Sequence, residues 1–425
     1  MRPFWREQVT PPAVLDHRRQ ALEQLLPSKS RNLKASTYPK IDIPVAHPLL
    51  PATDTIIPYL REIDTNRWYS NQGPLCEVFQ ARLGRIWGME TSNVALVTSA
   101  TAGLTLALRA QNIPEGSSCI MPSWTFIASA AAVTAAGLIP HFVDVLPDTW
   151  IPDAGEVERL AYDPSIGAVL IVAPFGAPLD LAVWDDIAAR TGKPVIVDAA
   201  AAFDTIRNGG PMPIGQSTVV VSLHATKTFG IGEGGAVISR DPILAERIRS
   251  YARFGFIGGR AAQYPGVNAK ISEYTAAVGL AGLDGWSRTR QRWETTSRYY
   301  TKYLPKSVIL TPSFGSNWVG STLTVLCPGG AKNMAAYLAE RGIGTVAWWS
   351  QGCHEQPAYT SCPRELLPVT KYMGQHALGL PFCQDMSRAV VEHVCRAVAE
   401  CVEDVSSNDD IVDLCTFPNG ETESR

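Results

Sequence analysis

From about residue 92 the apolar positions of this chain fall into two alternating patterns. Short runs rich in Val and Ile occupy 94–97, 118–121, 140–143, 168–173, 194–197, 218–221 and 235–239. Longer Ala- and Leu-rich runs fill 101–110, 125–137, 155–161 and 179–190. The first pattern predicts strands and the second helices. Strands separated by helices argue for a parallel α/β sheet with helices on both faces. The uninterrupted apolar character of the strands agrees, because neither face of such a sheet meets water. Ligands of open α/β sheets sit outside the carboxyl ends of the strands, so candidate chemistry is sought there.

Beyond the alternating region, Asp241-Pro242 predicts a helix running toward residue 254, with Asp as N-cap and Pro at the first helical position. A charged helical stretch at 286–298 leads toward a second domain with a helix at 333–341, a turn at Gly342 and a final helix at 388–402. Residues 1–45 are polar and interrupted by Pro; they read as an extension with one short helix at 16–26. The expected organisation is an extension over 1–45, a large domain over 46–290, a small domain over 291–405 and a Ser/Asn/Asp-rich disordered tail over 406–425.

Composition narrows the function classes. The chain has 425 residues, 46% hydrophobic and 18% charged, enough apolar content for a large core. Its net charge, 37 − 40 = −3, provides no basic field for nucleic acid or an anionic membrane. The most apolar stretch, 126–139, is broken by Ser129 and Thr134. It falls short of the roughly 18 residues that span a bilayer. The start, Met1-Arg2-Pro3-Phe4-Trp5-Arg6-Glu7, lacks the apolar core of a signal peptide. Nine scattered cysteines with no CxxC pair argue against a zinc site and for reduced thiols in a cytoplasmic protein.

Two strand ends carry the most informative residues. Pro194-Val195-Ile196-Val197 ends in Asp198, and Thr218-Val219-Val220-Val221 leads through Ser222-Leu223-His224-Ala225-Thr226 to Lys227. A lysine amine can condense with the aldehyde of pyridoxal 5'-phosphate (PLP), and a carboxylate can keep that cofactor's pyridine nitrogen protonated. A carboxylate after an apolar strand is costly to bury without a cationic partner. Its other reading is an N-cap for residues 199–202.

Further signals are individually weak. Thr98-Ser99-Ala100-Thr101-Ala102-Gly103 joins a strand to a helix; its small residues and free N–H groups suit a phosphate, or simply a capped helix. Trp124 is a flat ring for stacking on a cofactor, or a core tryptophan. Ser222 is a possible phosphate donor. The turn Gly230-Ile231-Gly232-Glu233-Gly234-Gly235 fits GxGxxG formally, but Ala236-Val237-Ile238 reads as strand where a dinucleotide site needs a helix.

In their order, these segments resemble the DegT/StrS-like PLP-dependent aminotransferases. The resemblance also rests on Trp68-Tyr69-Ser70-Asn71-Gln72-Gly73-Pro74, Pro122-Ser123-Trp124-Thr125-Phe126-Ile127-Ala128, Phe142-Val143-Asp144-Val145 and Val197-Asp198-Ala199-Ala200. Later matches are Asn268-Ala269-Lys270-Ile271-Ser272-Glu273, Arg341-Gly342-Ile343-Gly344-Thr345 and Gln356-Pro357-Ala358-Tyr359; together they span 43–402. The resemblance implies an aspartate-aminotransferase-type fold (PLP fold type I), with a mixed, mostly parallel seven-stranded sheet and a small C-terminal α/β domain. It implies Lys227 as the cofactor-bound lysine, Asp198 at the pyridine nitrogen, and Thr101, Ala102 and Ser222 at the phosphate. It places Trp124 on the ring and Asn268 at the phosphate of a neighbouring subunit, in a homodimer with shared sites. The implied reaction moves an amino group from glutamate or glutamine to a keto-sugar, usually nucleotide-linked. Three positions depart from the pattern: Ala201 where Gln or His is usual, Arg253-Phe254-Gly255 where Asn-His-Gly is common, and the aromatic pair Trp348-Trp349.

Overall fold

The computed structural model describes residues 41–406. The expected helix at 16–26 and nearly all of the expected tail lie outside the described residues. Strands β1 (Val94–Val97), β2 (Ser118–Pro122), β3 (Ile139–Val143), β4 (Ile166–Val172), β5 (Val195–Asp198), β6 (Thr218–Ser222) and β7 (Gly235–Ile238) form one sheet in the order β1-β7-β6-β5-β4-β2-β3. The pairs β3–β2, β2–β4, β4–β5 and β5–β6 are parallel, whereas β7 runs antiparallel to both β6 and β1. The sheet is therefore mixed. No helix intervenes between Ser222 and Gly235, and a strand that returns through a loop without a crossover must run antiparallel.

Each predicted strand is present, within one or two residues at either end. Its alternate residues serve opposite faces, as the period of two requires. Val195, Val197, Val219 and Val221 join one apolar cluster, and Ile196, Val220 and Val237 join the other. Helices α1 (Thr53–Asn66) and α2 (Pro74–Trp87) pack on the first face, where no element was expected from the sequence. Their punctuation is nevertheless written there: α2 has Pro74 at its first position and Gly88, at φ 66°, as its left-handed C-cap. Helices α3 (Ala100–Arg109) and α4 (Ile127–Ala135) cover the second face.

Further along, α5 (Ala154–Ala161) and α6 (Leu181–Thr191) return to the first face. Helix α7 (Pro242–Ala252) begins at the expected cap, Asp241, whose carboxylate accepts the Ile243 N–H. Helix α8 (Glu273–Tyr303) is far longer than the expected 286–298. Charge marks only its exposed part. Its first turns carry Ala276, Ala277, Gly279 and Leu280, which are buried against the sheet's core.

After α8, strands β8 (Ile309–Leu310) and β9 (Leu323–Leu326), helices α9 (Ala331–Glu340) and α10 (Pro368–His376), strand β10 (Ala377–Leu380) and helix α11 (Arg388–Ser406) build a second layer. Its sheet is antiparallel, in the order β10-β9-β8, around Val325, Leu338, Val394 and Val398. The stretch before α10 reaches back to the large sheet: the Phe142 N–H donates to the Pro363 carbonyl, and the Glu365 N–H donates to that of Phe142. No helix among the described residues is long and apolar enough to cross a membrane.

Candidate active site at the carboxyl ends of the strands

Asp198 is the last residue of β5, in register with Val172 of β4 and Val220 of β6. It is buried, and its two oxygens have separate partners. Oδ2 accepts the Ser129 hydroxyl at 2.7 Å, and Oδ1 accepts the Ala200 N–H at 3.0 Å. Residues 199–202 form a turn and not a helix, so the N-cap expected as the alternative role is absent; what remains of it is the single bond from the Ala200 N–H to one oxygen. Thr125 Oγ1 lies 3.0 Å from Ser129 Oγ. Because the Ser129 proton is committed to the carboxylate, Thr125 is the donor to Ser129. Ser129 is a residue that sequence reasoning passed over. Its only signal was a hydroxyl inside an Ala-rich helix.

Burial pushes the Asp198 carboxyl up from its ordinary range; the bonds from Ser129 and Ala200 and the charge of Lys227 pull it down. The amine of Lys227 is affected in the opposite direction. Burial lowers it, and the Asp198 charge draws it back upward. Each charge thus acts on the other across the adjacent strands β5 and β6, although 29 positions separate the two residues in sequence. Lys227 follows β6 in a turn closed by its own N–H to the His224 carbonyl and by the Ala225 N–H to the Gly232 carbonyl. The glycine-rich segment is the return leg into β7, as its strand-like continuation predicts.

Two glycines assemble the third group. Ser222 ends β6 in register with Gly235 of β7. A Cβ on Gly235 would stand 2.7 Å from the Ala100 nitrogen, and one on Gly103 would stand 2.9 Å from a Val220 methyl. Only glycine lets the N-terminus of α3 dock there, beside Ser222. Ser99 caps that helix, accepting the Ala102 N–H at 3.1 Å. A phosphate at this terminus would displace the cap or share its donor. Ser222 Oγ accepts the His224 N–H at 3.2 Å, which leaves its own proton to donate. Thr101, Ala102 and Ser222 thus share one corner.

Asn268 is the exception. Its neighbour Ala269 accepts the Thr98 N–H through its carbonyl, so the segment lies against the same corner. The Asn268 side chain, however, is exposed and accepts from Lys270. No hydrogen bond among the described residues joins it to Thr101, Ser222 or Lys227.

Trp124 follows β2 and is 98% buried, and its indole N–H has no hydrogen-bond partner among the described residues. It meets Trp349 edge to face at 5.3 Å, and Trp349 stacks on Phe175 at 4.0 Å. Phe175 holds a left-handed backbone, φ 52°, uncommon for a bulky residue. Trp348 and Trp349, with Thr125, Phe126 and Gln356, line a cleft of about 220 Å³. The unusual Phe254 is exposed at φ 61°, with the Lys270 amine 4.9 Å from its ring centre.

These residues fit PLP. A buried carboxylate acts through its charge on a lysine amine of lowered proton affinity. A small-residue helix N-terminus lies next to a free hydroxyl proton, and a buried indole follows β2, two strands along the sheet from β5.

Comparison with known proteins places the chain. Residues 52–399 match the model of the DegT/DnrJ/EryC1/StrS aminotransferase family. The chain is 31% identical over 383 residues to the dTDP-3-amino-3,4,6-trideoxy-alpha-D-glucose transaminase of Streptomyces venezuelae, covering 88% of this chain and 99% of that protein. It is 30% identical over 342 residues to the erythromycin biosynthesis sensory transduction protein EryC1 of Saccharopolyspora erythraea, covering 79% and 92%. The crystal structure of DesI with its TDP-sugar product superposes with a TM-score of 0.77 at 28% identity, covering 88% of this chain and 96% of that one.

Proposed function

Because the chain belongs to the DegT/DnrJ/EryC1/StrS aminotransferase family and is a PLP-dependent aminotransferase, we propose that it aminates a nucleotide-linked keto-sugar, with glutamate or glutamine as donor. The observation that carries this reading is the mutual effect of Asp198, at the end of β5, and Lys227, in the turn after the adjacent β6, each shifting the proton affinity of the other. The sugar transaminase of Streptomyces venezuelae, matched over nearly its whole length, supports the acceptor class.

Bound at this site, PLP supplies an aldehyde for amines and a ring that accepts the electron pair released at the substrate carbon. Lys227 would hold it through Nζ, and a freed Nζ would be the base that takes the substrate's α-proton and the acid that returns one. Asp198 would keep the pyridine nitrogen protonated, with Ser129 and Ala200 fixing the carboxylate. Thr101, Ala102 and Ser222 would bind the phosphate, Trp124 would lie against the ring, and Asn268 would serve the site of a second copy in a homodimer. The large domain spans 46–290 and the small one 291–405.

The aromatic wall of Phe175, Trp348 and Trp349 favours a second acceptor class, a cyclic ketone that is not a sugar. Borohydride reduction of the PLP-loaded protein, followed by peptide mapping, tests the first part. A cofactor adduct on Lys227 supports it, and an adduct elsewhere refutes it. Competition between keto-sugar nucleotides and plain cyclic ketones then separates the acceptor classes.

A further inference from the structure

Trp124 has no polar anchor of its own. Its plane is set by the backbone at 123–125 and by the edge contact with Trp349. Both are held by the segment 349–354, which comes from the other layer of the fold. The Cys353 N–H donates to the Ser123 carbonyl at 2.8 Å, and Cys353 Sγ lies 3.5 Å from the Thr125 carbonyl. The His354 N–H donates to Ser123 Oγ at 3.1 Å, and His354 Nδ1 lies 2.7 Å from the same oxygen. Segment 353–354 therefore holds the chain on both sides of Trp124.

The direction of the Ser123–His354 bond follows from the donors. Ser123 is fully buried and accepts the His354 N–H; Nδ1 is the one acceptor for the Ser123 proton among the described residues, so that proton is assigned to an unprotonated Nδ1. The ring is then neutral with its proton on Nε2, which lies 3.2 Å from Glu355 Oε1 but outside hydrogen-bonding alignment. Burial, which lowers the His354 pKa, favours this form. Both residues are buried. Gly352 makes the approach possible at φ 90°, since a Cβ there would stand 2.7 Å from a Thr370 methyl and 3.2 Å from the Ser123 carbonyl. The Gly352 N–H donates to the Trp349 carbonyl, so one turn carries both His354 and the ring that abuts Trp124.

We propose that His354 is a positioning residue which, through Ser123, fixes the plane of Trp124 against the cofactor ring. The inference rests on the reading that Trp124 faces PLP. Its function is distinct from packing: what matters is the acceptor at Nδ1, not the volume of the ring.

The test compares His354→Phe, His354→Asn, Ser123→Ala and a Trp124→Phe reference. Asn can place an acceptor oxygen where Nδ1 stands, whereas Phe keeps a flat ring without one. The apoproteins are examined by near-ultraviolet circular dichroism, and PLP affinity is measured by titration. His354→Phe is expected to lose the tryptophan ellipticity that Trp124→Phe loses, and to bind PLP about tenfold more weakly, the scale of one lost buried hydrogen bond. His354→Asn is expected to recover most of both. Wild-type ellipticity and affinity in His354→Phe would overturn the proposal, as would equal damage in the Phe and Asn variants. If His354→Phe does not fold, Ser123→Ala decides: matching losses support the proposal, and wild-type behaviour overturns it. If the wild-type chain binds no PLP, the functional reading fails, while the apoprotein ellipticity still tests whether His354 orients Trp124.

Discussion

At the scale of single residues, Lys227 and Asp198 carry the strongest expectations. Lys227→Ala is expected to lower turnover by at least about a thousandfold, because it removes both the cofactor bond and the proton carrier. Sustained multiple turnover by that variant without added amine would refute the assignment. The Lys227 amine also makes a pH prediction. Burial lowers its pKa, so the folded chain holds fewer protons than the unfolded one between the two values, and this residue's contribution to stability rises with pH across that window. The amine should capture PLP with a pH midpoint below the roughly 10.4 of free lysine. Asp198→Asn removes the charge that favours the ammonium form and should move the midpoint further down. Stopped-flow capture rates across pH measure both shifts, and an upward move in the variant would contradict the coupling.

At the scale of elements, the site depends on contacts that tie the second layer to the strand ends. Asp144, just past β3, accepts the N–H groups of Val369 and Thr370 at 2.7 and 2.8 Å and the Thr370 hydroxyl at 2.6 Å. It thereby caps α10, an element more than 220 positions away in sequence. Asp144→Ala should cost about 1–3 kcal/mol, by analogy with lost caps and unsatisfied buried donors. Urea denaturation measures the cost, and hydrogen exchange should quicken at Val369 and Thr370. Unchanged exchange there would show that the cap is not what holds α10. The motif containing Asp144 was legible in the sequence, but its role was not, because the helix it caps comes from a distant part of the chain.

At the scale of the whole molecule, two expectations follow from the proposed function. PLP at a hundredfold excess over its dissociation constant should stabilise the fold by about 2.7 kcal/mol through mass action. Thermal melting with and without PLP measures this, and Lys227→Ala should show a smaller gain. Light scattering should give twice the chain mass if the site is shared between copies. The exposed aromatic residues Trp68, Tyr69 and Tyr274, with Tyr69 and Tyr274 stacked at 6.3 Å, offer a face for such an interface. A monomer with full activity would rule out a shared site.

The strands of the large sheet could be read from the chain, because their apolar runs are continuous and both faces must be buried. It also marked Asp198, Lys227, Ser222 and the Thr101–Ala102 corner, since each stands at a strand end where such folds bind ligands. What surrounds them was set by the packing of distant segments. Ser129 reads as an interruption in an apolar helix until that helix is packed against β5, where it becomes the donor to Asp198. His354 has no local pattern at all; its partner, Ser123, is 231 positions away. Periodicity and strand-end position are local properties that a linear sequence carries. Hydrogen bonds between distant segments are fixed only when the layers close on each other, so the groups that orient the site could not be read from the chain alone.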